Sequence, residues 1–459
     1  MENLIFDLNI VILIYFFFLA LWYMGILLLA FPGLIKAYQQ TQYGDLDHLV
    51  QRGSIPLTII IPAYNEGKRV LNALYSILQN SYKNVHIIIV NDGSRDNTMD
   101  ILISELGLYE VPVVIQNVIP ASAIRHYYQS SLYENLSVVD KEHGPNNNGA
   151  DSNNAGLNAA STPIVMTLDS DTVLEPNAIE CILYTYLAQK NCIAVGGAIY
   201  ILNENQVEHG RLLTRKLPKK FVPATQAIEY LRSFSYGRAG LNKLSGALCY
   251  PGAFTFFEAK AIKEVGGLDS KNYSYDAEAI IKLHEYIRKK QYPMQMCFSS
   301  NAISWTIVPN TWASFWEQRN RWQRGMLLSV SKHLTMLFNP RYGIVGLITF
   351  PAFVLFEVYG PVVEFSSYLL LIASVFVSFL SWHTVAWYML LAWGYLVLLT
   401  IAAFYINLLT FNIYRRPADL LRMIWVVSLE MLGFRQFRAA CCFYSTLQYF
   451  FNRLRGKNL

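Results

Sequence analysis

The feature that most limits what this chain can fold into is the lack of charge at two places. From Asn9 to Ile35 there is no charged side chain, and about 27 residues make a helix of roughly 40 Å, enough to cross a bilayer. Between Glu364 and Arg415 a further 50 residues contain no Asp, Glu, Lys or Arg. They are interrupted only by SWHT around His383, and two spans of about 20–25 residues with a turn account for them. The end before the first run, MENLIFD, is acidic and Lys36 follows it, so the charge rule puts the next residues in the cytoplasm. The run is too long, and lacks the basic leading region, for a cleaved signal peptide. Gly343 to Val363 contains Pro351, Glu357 and Pro361 and reads as interfacial or as a partial crossing. Three spans are expected, with a fourth if that stretch crosses fully. Three return Arg415, Arg416, Arg422, Arg435 and Arg438 to the inner face, and the tail that carries them is expected to lie along that surface.

At 459 residues the chain has room for a soluble domain besides these spans, since single cores stop growing near 250–300 residues. The expected division is 1–50 as the first span and linker, 51–330 as a cytosolic domain, 331–414 as membrane region and 415–459 as basic tail. The six cysteines, Cys181, Cys192, Cys249, Cys297, Cys441 and Cys442, show no zinc or redox spacing and read as reduced structural residues. The net charge of +5 owes much to arginines beside the apolar C-terminal segments, which suits anionic lipid better than nucleic acid.

Within 55–110, apolar runs alternate with helical patterns: PLTIIIPAYNE, a helix through Tyr75, NVHIIIVNDGSRDNT, then another helix. This predicts a buried, mostly parallel α/β sheet, whose ligands sit beyond the carboxyl ends of the strands. Asn65, Glu66, Asp92 and Asp96 fall there. Asp92 can accept hydrogen bonds from a nucleobase or ribose, or serve as the turn-former of NDGS. IVMTLDSDT, Ile164 to Thr172, ends in two carboxylates one residue apart. Residues i and i+2 of a strand share a face, so Asp169 and Asp171 can converge on a divalent cation carrying a diphosphate, or they form an acidic turn. The Asn- and Gly-rich stretch from Lys141 to Asn158 has little apolar content and is expected to be a mobile loop.

TIIIPAYNE, VNDGSRDNT and LDSDT, in that order, resemble the nucleotide-binding half of family-2 glycosyltransferases. The likeness continues through VGG (Val195–Gly197), IEYLRS around Glu229, GAF (Gly252–Phe254), VGGLD ending at Asp269, and QRNRW (Gln318–Trp322). The last is similar to the Gln-x-x-Arg-Trp signature of membrane-embedded cellulose, chitin, hyaluronan and poly-N-acetylglucosamine synthases. The resemblance covers about residues 55 to 325. It implies a GT-A type nucleotide-sugar-binding domain flanked by transmembrane helices, with Pro62, Tyr64, Glu66, Asp92 and Asp169 on the donor and Mg²⁺ or Mn²⁺ at Asp169 and Asp171. It also places Asp276 at the last position of the Thr-Glu-Asp motif, as general base. A carboxylate there is chemically suited to take the acceptor's proton, though Asp before a helix also caps it. Gln318, Arg321 and Trp322 would serve acceptor and diphosphate, Arg321 through charge and Trp322 by stacking on a sugar. The same aromatic and basic residues can instead be interfacial anchors.

Three positions depart from the pattern: Asn153 stands near an expected lysine, Tyr275 replaces a glutamate, and Glu258 follows the GAF turn where many relatives carry arginines. The implied function is inverting transfer of a sugar from a nucleotide, expected to be UDP, to a growing polysaccharide that leaves through the membrane helices. Asp92, Asp169, Asp171 and Asp276 would then line one cleft. Its expected partners are a nucleotide sugar, a polysaccharide or lipid-linked acceptor, membrane lipids and an accessory export subunit, at an inner membrane. Single addition to a lipid, or a catalytically weak homologue that binds a partner synthase, remain as alternatives.

Overall fold

The computed structural model describes residues 2–43, 55–144, 146, 148–244, 246–291, 293–376, 382–411 and 413–456. The chain divides into two compact units: residues 36–215 with 245–308, and residues 1–35 with 216–244 and 309–459.

The first unit is built on a sheet. β1 (Leu57–Ala63), β2 (Val85–Asn91), β3 (Leu108–Glu110), β4 (Ile124–Ser130), β5 (Leu136–Lys141), β6 (Ile164–Leu168), β7 (Val173–Leu174) and β8 (Cys192–Ile201) are followed by a small hairpin of β9 (Val207–Glu208) and β10 (Arg211–Leu212). β11 (Phe254–Glu258) and β12 (Gln295–Thr306) complete the set. Ten strands form one sheet in the order β3-β4-β5-β2-β1-β6-β11-β8-β12-β7. The run β5-β2-β1-β6 is parallel, as expected, and β11 enters antiparallel between β6 and β8. β1 and β2 are almost wholly buried, because β-branched runs on both faces suit a sheet covered by helices. Pro62 sits inside β1 without disrupting it, since the β6 pairing ends at Ile60 and Pro62 faces only Val90 of β2. A proline at the end of a ladder forfeits no hydrogen bond.

This topology collects particular residues at one edge. Tyr64–Glu66, Asp92, Lys141 and Asp169 follow or end the parallel strands. Antiparallel β11 starts there, with Phe254 opposite Leu168.

The Asn-rich stretch expected to be a mobile loop contains a helix, Gly149–Ala159, that is largely buried and capped by Asn148. Its asparagines are ties rather than solvent-facing loop residues. Asn154 donates to Leu268 O and accepts from Leu268 N, both at 2.8 Å, and Asn158 does the same for Ile119, at 2.8 and 3.0 Å. Side-chain amides satisfied by two loops replace the apolar face that composition lacks.

The second unit holds the apolar helices. Leu4–Ile35 and Val385–Thr410 are long and apolar enough to cross a membrane. Val345–Val358 and Gly360–Phe376 form a pair bent by 47°, a third candidate if the two arms act as one span. Of the turn expected around His383, residues 377–381 lie outside the described residues, and His383 itself is helical. The helix Trp312–Lys332 opens with a capping box at Thr311 and packs against the tail helix Arg435–Leu454. Gln323 donates to Thr446 at 3.0 Å, and the Tyr449 hydroxyl donates to Ser331 at 3.1 Å. The tail therefore buries Cys441, Cys442 and Tyr449 against protein.

Candidate active site

Asp169 leaves the buried end of β6, and its carbonyl accepts from the Thr172 amide at 3.0 Å. That turn swings Asp171 back beside it. Oδ1 of Asp171 accepts from the Thr306 hydroxyl at 3.1 Å, which ties it to the end of β12. Asp276 enters from the helix Tyr275–Lys290, and its Oδ2 accepts from the Gly252 amide at 3.1 Å. Thr167 of β6 donates to the Gly252 carbonyl at 2.9 Å. One loop thus links the strand that carries Asp169 to Asp276.

The electrostatics show that these groups share a space. The Asp169 carboxyl is pushed up to about 8, first by burial, then by Asp171, Asp276 and Glu66. Asp171 is pushed up to about 6, mainly by burial, with Glu66 adding and the Thr306 hydrogen bond opposing. Crowded carboxylates resist losing their last protons, and a divalent cation relieves that repulsion. The oxygen donors fit Mg²⁺ or Mn²⁺ chemistry. Among the described residues no group of three or more His, Cys, Asp or Glu forms a ready cage. Such ions ordinarily take one or two carboxylates and complete their shell with substrate phosphate and water.

Asp92 is differently placed. Its side chain is 7% exposed, and the carboxylate pairs with the Lys141 ammonium and accepts from the Gly144 amide at 3.1 Å. Lys141 is fully buried and also pairs with Asp151 at 2.6 Å. His143 Nδ1 lies 3.0 Å from both the carbonyl and Oδ2 of Asp92, and its ring stacks on Tyr64 with centroids 4.3 Å apart. Asp96 serves its own loop, accepting from the Thr98 amide at 3.0 Å. Asn65 accepts from the Arg95 amide at 2.8 Å and holds the two loops together.

Sequence reasoning missed Lys141, His143 and Thr306. No motif marks them, because their partners are distant in the chain. Of the three departures, Glu258 ends β11 opposite Ile164, at the far edge of the sheet, about 13 Å along the strand from Phe254 at roughly 3.3 Å per residue. Asn153 sits on the buried helix and donates to Gly149 O at 2.9 Å. Tyr275 feels both Asp169 and Asp276.

Gln318, Arg321 and Trp322 belong to the second unit. Arg321 is exposed, while Gln318 and Trp322 are half-buried. The Arg319 guanidinium lies over the Trp322 ring at 4.6 Å and over Phe315 at 4.8 Å. Arg319 is itself held by Glu229 through bonds of 3.0 and 2.8 Å. The IEYLRS glutamate is therefore the anchor of the helix that carries Gln-x-x-Arg-Trp.

Among known proteins, residues 55–325 match the model of a family described as glycosyltransferase like family 2. The poly-beta-1,6-N-acetyl-D-glucosamine synthase of Staphylococcus epidermidis is 27% identical over 270 residues, covering 59% of this chain and 54% of that protein. The protein of the same name in Staphylococcus aureus (strain COL) is 26% identical over the same share. The chain spans about half the length of the curated relatives it matches. A mannosyltransferase structure from Pyrobaculum calidifontis, in complex with GDP-Man and Mn2+, aligns over 90% of this chain and 99% of that one, with a TM-score of 0.47 and 15% identity. The family match takes in more than half of the chain and contains both the Asp-x-Asp turn and Asp276, so the chain belongs to glycosyltransferase like family 2.

Proposed function

We propose that this protein transfers hexose units from a nucleotide sugar, with uridine diphosphate as carrier, to a growing polysaccharide, inverting the anomeric carbon. The observation that carries the reading is the coupling of Asp169, Asp171, Asp276 and Glu66 at one sheet edge. Asp169 and Asp171 would hold Mg²⁺ or Mn²⁺, which when bound neutralises the leaving diphosphate. Asp276, steadied by the Gly252 amide, takes the proton of the acceptor hydroxyl. The acceptor oxygen bonds to the anomeric carbon as the bond from that carbon to the diphosphate oxygen breaks. The nucleoside diphosphate departs with the electron pair, and no covalent enzyme intermediate forms.

Pro62, Tyr64, Glu66 and Asp92 are the donor-side residues of this reading. Asp92 would act through whichever lone pairs the Lys141 and Gly144 contacts leave, and the Tyr64–His143 stack offers an aromatic face to a base. Gln318, Arg321 and Trp322 carry the acceptor and diphosphate roles that the resemblance assigns. The apolar helices support a multi-pass protein of an inner membrane, with the transferase unit on the cytosolic side and the product passing outward, aided by an export subunit.

The test is to give membranes containing the protein a panel of labelled nucleotide sugars with Mg²⁺ or Mn²⁺ and to size the product. Long chains that vanish in Asp276→Asn support the proposal, and a single added sugar on lipid replaces it with a one-step transferase. Equal transfer by wild type and Asp276→Asn overturns it.

A further inference from the structure

We propose that the Tyr275 hydroxyl is a specificity-determining contact to the hexose being transferred, and that Gly149 is the opening that admits it. The inference rests on the transferase reading above. It begins from a steric fact: a Cβ on residue 149 would stand 2.8 Å from the Tyr275 oxygen and 3.6 Å from its Cζ. The phenol occupies the space that any side chain at 149 would claim.

What the phenol faces follows from its neighbours. Tyr275 precedes Asp276 at the start of the same helix, and Asp169 and Asp276 both bear on its phenolic oxygen. In an in-line displacement the anomeric carbon lies between the leaving diphosphate, at the Asp169 side, and the attacking hydroxyl, at the Asp276 side. A group flanked by both carboxylates therefore faces the transferred sugar. A phenol is a neutral O–H at ordinary pH, so the group meets a ligand without charge. Among the described residues this hydroxyl makes no hydrogen bond within the chain. Tyr275 is only half-buried, so a ligand can reach it.

The chemistry narrows the ligand. A neutral hydroxyl is a poor ligand for a divalent cation beside carboxylates, but it both donates and accepts, which matches a sugar hydroxyl. It also adds no charge to a crowded acidic cluster. The pairing of Gly149 with Tyr275 is thus one device: a missing side chain on one helix and a long neutral one on another.

The experiment compares full-length wild type, Tyr275→Phe, Gly149→Ala and the double variant in proteoliposomes. Each is assayed for kcat/KM on UDP- and GDP-hexoses that differ in configuration at C2 or C4, with Asp276→Asn as control. The hydroxyl is the far end of a long side chain, so Gly149→Ala displaces it without opposing the fold. Loss of the contact should lower kcat/KM for the preferred hexose about three- to tenfold and shrink the ratio between epimers by a similar factor. Gly149→Ala should do likewise, and the two changes should not multiply. The epimer ratio does not depend on how much protein folds. Equal losses on every donor, or no loss, overturn the proposal even where Asp276→Asn is dead. Should wild type use none of these donors, or Asp276→Asn remain active, the transferase reading fails and this inference fails with it.

Discussion

The Gly252 amide donates to Oδ2 of Asp276 at 3.1 Å, and a Cβ on residue 252 would stand 3.1 Å from the Asp276 Cβ. The GAF glycine is thus part of the carboxylate's seat. Gly252→Ala should push Asp276 off its position with little effect on folding. The Asp276 side chain has to give by a few tenths of an ångström; since a misplacement near 1 Å costs on the order of 100-fold in rate, kcat should fall by roughly two- to fivefold while the melting temperature holds. Undiminished turnover in Gly252→Ala would remove the seat from the mechanism.

Thr306 steers Asp171 from the end of β12. Losing an outer partner of a metal-binding carboxylate typically costs about 10- to 100-fold in affinity. Thr306→Val should raise the Mn²⁺ concentration for half-maximal transfer by that range, with the rate at saturating cation largely kept. An unchanged cation dependence would show that Asp171 needs no such support.

Lys141 balances two buried aspartates, Asp92 and Asp151. Removing one side of a buried ion pair strands the other charges and costs about 3–5 kcal/mol. Lys141→Met should lower stability by roughly that amount in a denaturant titration, and adding Asp151→Asn should recover part of it. A neutral effect of Lys141→Met would mean that the cluster is solvated in a way its burial does not suggest.

His284 is 2% exposed and shares a hydrogen bond of 3.3 Å with the Ala247 carbonyl. Burial holds its pKa down to about 3 against an ordinary value of 6.5. Between those values the unfolded chain binds a proton that the native imidazole refuses. Its contribution to stability is therefore present above pH 6.5 and is lost as pH falls towards 3, at up to about 1.4 kcal/mol per pH unit. Melting temperatures measured from neutral to mildly acidic pH should fall less steeply for His284→Gln than for wild type. Parallel profiles would exclude His284 as a source of acid lability.

Much of the site could be read from the chain because it is local. The strand runs ending at Asn91 and Leu168, the Asp-x-Asp turn and the placement of Asp276 at the start of a helix all follow from period and spacing within a few residues. The ordered motifs also carry the family, which the match over residues 55–325 bears out. The stretch around Gly149–Ala159 misled, because composition counts its asparagines as polar. In the fold they are consumed by the backbone of Leu268 and Ile119.

By itself, then, the sequence determined the α/β class, the apolar helices able to cross a membrane, and the acidic side chains at the strand ends. These depend on alternation and composition, which are properties of neighbours in the chain. Only the tertiary structure decided that β11 enters antiparallel and brings Gly252 to Asp276, that Lys141 neutralises Asp92 and Asp151, and that Gly149 yields its space to Tyr275. Those pairings join residues from 10 to 126 positions apart, and no local preference encodes a contact whose stabilisation appears only once the chain between them has closed into a loop.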